Sequence, residues 1–420
     1  MSITIKELDK SLTIKVADNR TDIERIAKFD NAVFDERVGS LCLELFLNHP
    51  NTQINDLIFV ENEKGEVVSS LCLIPWEWNY DGIILNVGEM GIVGTAEEYR
   101  RQGLIRSQVE YFKQLLNERG FDISIIQGIP YFYRQFGYEY SVPLERNCII
   151  ELYQIPDYSE DERPKLSYRI AEKKDISEIQ RLYDESSKSL AINTKKNENI
   201  WRYLIEHNPK TGTAVDIWVA EDNGQIVGYF LIAKHPFGNA LTVAEVSKLS
   251  YDNALDILRY LKKLAIENNK PNIRLNIQSN CELIKTALYH GAIDRGTYAW
   301  QINIPDMVKF LKKISPVLES RIANSPFLGL TEQIRISFYT EKVSISFDKG
   351  HITSIDKLEL TDGWYEPIRI PPMSAVPLFL GCRDRKESCE LWKDMGASPK
   401  YSYLFDTLFP KMDSCIYTIY

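Results

Sequence analysis

The stretch Gly91-Ile92-Val93-Gly94-Thr95, with Tyr99-Arg100-Arg101-Gln102-Gly103-Leu104-Ile105-Arg106 just beyond it, decides how this chain is read. It has the pattern of a short apolar strand, a turn and the opening of an amphipathic helix. The first N–H groups of a helix lack intrahelical partners, and the helix dipole makes that end positive. A glycine at such a turn and arginines around it suit a pyrophosphate. An ordinary strand-to-helix turn with solvated arginines has the same local pattern, so the surrounding sequence has to decide between them.

Downstream, Ile105, Val109, Phe112, Leu115 and Leu116 share one helical face, Gly120 is a C-cap, and Phe121 to Ile126 is a buried strand. Upstream, Thr21-Asp22-Ile23-Glu24 has capping-box spacing ahead of the helical positions Ile23, Ile26, Ala27 and Phe34. A second helix runs through Leu41 to Leu47 and stops near His49-Pro50. Residues 57–60 and 67–74 pair across Glu63-Lys64-Gly65, and a further pair, 83–87 and 90–95, is joined near Gly88. The order is helices, antiparallel meander, strand, turn, helix, strand.

A similar order recurs from Leu166. It comprises a strand at 167–170, a helix from Asp175, a hairpin across Asp222-Asn223-Gly224, the segment 242–249, a helix 254–268 and a strand 273–277. The repeat is one of element order rather than residue identity. Where the first copy has its arginine turn, the second has Lys248-Leu249-Ser250-Tyr251-Asp252-Asn253-Ala254, without arginines or glycine. The second copy is therefore read as structural. From Asn303 a third unit follows, with a helix opened by Pro305-Asp306, alternating strands at 334–338 and 343–347, helices around 375–380 and 401–408, and a strand-like aromatic end at 415–420.

Composition narrows the classes. The 420 residues suggest two to three domains, and 44% hydrophobic with 26% charged residues describes a globular protein. A net charge of −9 argues against a nucleic-acid-binding body and is compatible with cationic substrates. Seven scattered cysteines without CxxC pairs fit a reducing compartment, and five isolated histidines give no zinc-ligand spacing, so no metal is expected. The N-terminus has no signal-peptide core and no run reaches the length of a membrane span, which points to a cytoplasmic protein with no membrane partner.

Arg100-Arg101-Gln102-Gly103-Leu104-Ile105, in its strand–turn–helix setting, resembles motif A of the GNAT acyltransferases, [Q/R]-x-x-G-x-[G/A], with Ile105 departing at the last position. Phe132-Tyr133-Arg134-Gln135-Phe136-Gly137-Tyr138 is similar to the aromatic-Tyr-x-x-Phe-Gly-Tyr segment of the Eis (enhanced intracellular survival) family of N-acetyltransferases. The resemblance covers essentially the whole chain. It implies an α/β (α+β) protein with a catalytic GNAT domain at 1–155, a degenerate second GNAT domain at 156–301 and a sterol-carrier-protein-like α+β domain at 302–420.

The resemblance also implies roles. Tyr133 would be the general acid and the carboxylate of Tyr420 the general base. Acetyl-CoA would be held by Val93, Gly94 and Thr95, by Arg100, Arg101, Gln102, Gly103, Leu104, Ile105 and Arg106, and near Gly128 and Ile129. Phe34, Glu36 and Phe46 would line the acceptor pocket. Aminoglycosides or other polyamines would be acceptors, and the assembly a homo-oligomer, a hexamer by resemblance. At Ile419 the better-known aminoglycoside-acetylating members carry an acidic residue.

Acetyl transfer needs a neutral amine and a proton for the departing thiolate. Tyrosine, with a pKa of about 10, is protonated at neutral pH and can donate. Read without the family, Tyr131, Tyr133, Tyr138 and Tyr140 are equally packing aromatics. An α-carboxyl near 3.5 against an ammonium near 10 leaves about 6 units, or roughly 9 kcal/mol, so direct deprotonation by that carboxylate is steep. It would act through a water or on the more acidic nitrogen formed after attack. The alternatives are a polyamine or protein-lysine acetyltransferase, and a non-catalytic CoA- or lipid-sensing protein.

Overall fold

The structure is a computed structural model that describes residues 2–8, 11–360, 366–417 and 420. Ile419 therefore lies outside the described residues. Two helices, Arg20–Val33 and Glu36–Asn48, follow the first hairpin. The first is capped two residues earlier than the Thr21–Glu24 spacing suggests. The Asn19 side chain accepts from the Asp22 N–H at 3.1 Å, and Asp22 accepts in return from Asp18 N–H. Asparagine is the stronger N-cap, so it wins over Thr21.

The strands 57–61, 67–80 and 83–95 form the expected meander, with one correction. Gly88 joins nothing: Ile83–Thr95 is a single strand that pairs along its length with Val67–Tyr80. Glycine stands there because of packing. A Cβ on Gly88 would lie 2.4 Å from Leu116 Cδ2 and 2.9 Å from Leu73 Cδ1. The missing side chain is what lets helix Leu104–Glu118 settle onto the sheet.

Both repeats contribute to one fifteen-stranded sheet. They are joined by a reciprocal exchange of strands absent from the expected element order. Ile293–Asn303, the last strand of the second repeat, inserts between Ile123–Ile126 and Glu139–Glu151 of the first. Glu139–Glu151 in turn pairs with Asn272–Leu275 of the second. Neither half of the sheet is complete without a strand from the other. Such long-range pairing leaves no local periodicity signal, which is why the strands 139–151 and 293–303 went unmarked.

The third unit adds a separate five-stranded sheet, in which Glu332–Ser337, Lys342–Asp348 and His351–Leu358 run antiparallel. Its helices include Met307–Lys313, Pro372–Phe379 and Pro399–Leu408, and Phe310, Phe379 and Phe409 stack in its core. The tip of the first unit's long hairpin is tied to it by Tyr80, whose hydroxyl donates to Phe379 O at 2.7 Å. Ser414–Cys415 then returns to pair in parallel with Ile192–Thr194, bringing Tyr417 and Tyr420 into buried positions between the repeats. Among the described residues no helix is long and apolar enough to cross a membrane.

A Gly88→Val substitution is expected to lower stability by about 1–3 kcal/mol through overpacking against Leu116 and Leu73. Chemical denaturation of the purified variant measures this, and unchanged stability would show that the contact is slack.

Candidate active site

The site is built where two parallel strands part. Ile83–Thr95 pairs with Ile123–Ile126 at Val87–Ile123, Gly88–Ser124 and Glu89–Ile125, and no further. Beyond Glu89 the first strand stays with Val67–Tyr80, while the second is drawn toward Ile293–Asn303. The edge from Met90 to Thr95 is left without a strand partner on that side. Ligands of open α/β sheets bind at such carboxyl ends.

A bulge re-aims this edge. Register jumps from Ser70–Gly94 to Cys72–Gly91, and Ile92 takes a φ of 46°, a strained position for a β-branched residue. Ser69 steadies the segment from behind, its single hydroxyl proton directed to Gln108 Oε1 at 2.7 Å or Gly94 O at 2.9 Å. Phe34 lies over Gly94, whose Cβ would meet the Phe34 ring at 2.9 Å.

At the arginine turn, Arg101 and Gly103 both adopt left-handed backbone, with φ of 63° and 81°. Left-handed residues of this kind occur in backbone turns that bind anions. Gly103 is the N-cap of helix Leu104–Glu118, and no side chain caps that end. Arg100, Arg101, Gln102 and Arg106 are exposed beside it, and Leu104 is buried beneath. Gly103 earns its place through its φ, since nothing lies within 4 Å of a Cβ there.

The second repeat differs physically as well as in sequence. Its helix Tyr251–Glu267 is capped by Ser250, whose hydroxyl accepts from Asn253 N–H at 3.2 Å. Its parallel pair ends at Val243–Leu275. Just beyond, Glu245 is ion-paired to the buried Lys196 at 2.5 Å, with the rings of Trp201 and Tyr417 against the ammonium. A buried carboxylate near that end is thus paired with the chain's own cation.

Tyr133 and Tyr420 come to the Gln127–Gly128 segment from distant parts of the sequence. The Tyr133 ring is packed against Gly128, where a Cβ would fall 2.3 Å from Tyr133 Cδ2. Burial pushes its phenol up to about 12, which holds it protonated. The Gly128–Ile129 backbone is fixed by the other repeat: Gln301 Nε2 donates to Gly128 O at 2.8 Å and to Ile129 O at 3.3 Å. Tyr420 is buried, its carbonyl oxygen accepting from the Thr213 hydroxyl. Its own hydroxyl donates to Glu89 Oε1 at 2.8 Å.

Glu89 is the residue that sequence reading missed. It is 1% exposed and accepts from Trp76 Nε1 at 2.8 Å, from Tyr420 and, at 3.5 Å, from Gln127 Nε2. Burial raises its carboxyl to about 7 against these hydrogen bonds. The signal was present: Leu85, Val87 and Glu89 occupy successive inward positions of one strand, and a carboxylate in that series is out of place in a plain core. Gln127, adjacent to Gly128, also donates to the Tyr420 hydroxyl at 3.4 Å, joining the two tyrosines through one dipeptide.

A cleft of about 560 Å³ opens onto this cluster, with Gln127 and Tyr420 among its walls. Phe34, Glu36 and Phe46 are not part of its lining. Phe34 is 46% exposed over the bulge, Glu36 is exposed in the first turn of its helix, and Phe46 is 4% exposed within the main core. A helical stretch places Phe46 on the inward face, where it packs rather than presents a ring. Among the described residues no group of His, Cys, Asp and Glu is placed to hold a metal ion.

Residues 16–141 match the family model of an acetyltransferase (GNAT) domain. No curated relative matches the chain by sequence. A GCN5-related N-acetyltransferase from Anabaena variabilis is similar in structure over 97% of this chain and all of its own, at 14% identity and a TM-score of 0.69. A conserved protein from Enterococcus faecalis, described as a probable N-acyltransferase, has the same coverage and identity with a TM-score of 0.72. Eis1 from Mycobacterium abscessus is similar over the same spans at 12% identity and a TM-score of 0.62. The whole chain thus has the fold of these proteins, with a GNAT acetyltransferase domain at its start.

Glu89 binds a proton more readily in the folded chain than the ordinary 4.5 of a free glutamate. The native state therefore holds the extra proton between about pH 4.5 and about pH 7, and stability falls as pH rises through that window. Asp30, raised to about 7 by burial, acts in the same direction. Buried His49, lowered to about 3, acts in the opposite direction, so the net slope is a sum. Glu89→Gln removes one falling contribution, so the change in its melting temperature between about pH 5 and about pH 7 is expected to be less negative than the native protein's. Parallel pH profiles by calorimetry would contradict the assignment.

Proposed function

We propose that this acetyl-transferring enzyme, built on the GNAT domain at 16–141, moves the acetyl group of acetyl-CoA to an amine of a small molecule. The observation that carries the reading is the parting of the strands at Glu89–Ile125, beside an uncapped helix start ringed by arginines. Acetyl-CoA, when bound, supplies an activated thioester. Val93, Gly94 and Thr95 offer it an open strand edge, the 100–106 turn takes the pyrophosphate, and the Gly128–Ile129 loop faces the edge across the gap.

In this reading the amine nitrogen forms a bond to the acetyl carbon as the carbon–sulfur bond breaks. The amine's proton leaves toward the Glu89–Tyr420 end of the site, and Tyr133 gives its phenolic proton to the departing thiolate. Glu89 eases the first transfer. An ammonium near 10 facing a carboxyl near 7 leaves about 3 units, or roughly 4 kcal/mol, against roughly 9 for an ordinary α-carboxyl. The carboxylate of Tyr420 shares that role and steers the amine. Trp76 and Gln127 hold Glu89 in place.

We also divide the chain into a catalytic unit at 1–155, a second unit at 156–301 that completes its sheet and a third unit at 302–420. Seven free cysteines favour a reducing, cytoplasmic setting. Cationic amines such as aminoglycosides or polyamines are the acceptors this activity admits most broadly.

Tyr133→Phe is expected to lower kcat by about 10²-fold or more while acetyl-CoA binding stays within about twofold. Thiol release with an amine panel measures the first and calorimetry the second. An unchanged kcat would remove Tyr133 from the proton path. A short extension beyond Tyr420 is expected to abolish turnover with acetyl-CoA binding retained, and full activity would remove the Tyr420 carboxylate from it.

A further inference from the structure

The walls of the cleft carry an unexpected charge pattern for a polycation site. Three arginines, Arg37, Arg146 and Arg274, are among its lining residues. Its two side-chain carboxylates are already engaged, Asp35 with Arg37 at 2.8 Å and Glu145 with Arg274 at 3.0 Å. Arg146 is held by Asp294 at 2.5 Å and by the Ser279 hydroxyl. No uncommitted side-chain carboxylate is left among the described lining residues to meet several ammonium groups at once.

Arg37, its guanidinium bonded among the described residues only to Asp35, is 58% exposed, whereas Arg274 combines an open arm with burial. Its Nε donates to Arg146 O at 3.1 Å and one arm to Glu145, while the second arm, Nη1, has no partner among the described residues. The side chain as a whole is only 15% exposed. It sits on Asn272–Leu275, the strand bonded to Glu139–Glu151 across the joint between repeats. A guanidinium with an open arm in a partly desolvated cleft is a carboxylate receptor.

We propose that the cleft takes a small acceptor bearing a carboxylate as well as its amine, with the carboxylate on Arg274 and the amine toward Glu89 and Tyr420. This rests on the acetyl-transfer reading of the Glu89 site and narrows it from cationic amines at large to amino-carboxylates. A polycation would have to set its additional ammonium groups against guanidiniums already on the wall. An amino-carboxylate is complementary at both ends, and the cleft's volume of about 560 Å³ accommodates a molecule of that size.

Lysine and cadaverine differ only by the carboxylate and so isolate this contact. With the full-length protein and acetyl-CoA, kcat/KM is expected to favour lysine over cadaverine by about tenfold or more, the worth of one charge-assisted bond. Spermidine and a polycationic aminoglycoside are expected to rank with cadaverine. Arg274→Met should raise KM for lysine about tenfold more than for cadaverine, and Glu145→Gln, which releases the other arm of Arg274, should widen the lysine preference. Equal or better use of cadaverine, or equal losses for both amines in Arg274→Met, overturns the proposal. Binding of the same pair to the protein loaded with coenzyme A is measured by calorimetry. Selective lysine binding without turnover of any amine sinks the acetyl-transfer reading and leaves the cleft assignment standing. Turnover of amines without a carboxylate preference does the reverse.

Discussion

Two parallel strands share hydrogen bonds only while they stay about 4.8 Å apart. In this protein that condition ends at Glu89 and Ile125, and the rest of the structure is arranged around the failure. One strand remains with its hairpin partner, and the other is held by a strand from the second repeat. An opening between strands would ordinarily be costly, because it strands backbone donors and acceptors. Here a bulge at Ile92, the Ser69 hydroxyl and the Gln301 amide hold the backbone on either side of it. What remains unpaired faces the gap.

The two repeats carry different side chains at their corresponding openings. Both have a parallel pair that stops short, followed by a helix. In the second, Ser250 satisfies the helix start, and Lys196 neutralises Glu245 inside an aromatic enclosure. In the first, the helix start is uncapped, and the carboxylate of Glu89 meets only neutral donors. Facing an indole and a phenol rather than a cation, the buried Glu89 carboxyl is pushed toward the neutral form. The second repeat also supports the first opening, through Gln301 on the Gly128 loop and Thr213 on Tyr420.

A good share of the fold was legible in residue order. Periodicity located the helix Leu104–Glu118, the meander and the alternating strands of the third unit. Gly103 marked a left-handed position at a helix start. Gly88 was misread because a packing glycine and a turning glycine look alike in sequence; the difference lies in the Leu116 side chain that arrives from another element. Phe46 could not be placed from sequence, since an aromatic on an amphipathic helix lines either a core or a pocket, and only its neighbours show that it packs in the core.

The sequence by itself determined the local devices: the arginine-ringed helix start, the aromatic turn around Tyr133, and the order of elements in two repeats. These rest on contacts within a few residues, which composition and period encode directly. Only the tertiary structure decided the exchange of strands between repeats, the meeting of Tyr420 with Glu89, and the open arm of Arg274 in the cleft. Each of these joins residues more than a hundred positions apart. Hydrogen-bonding partners at that separation are selected by the packing of the whole chain, so no local pattern announces them.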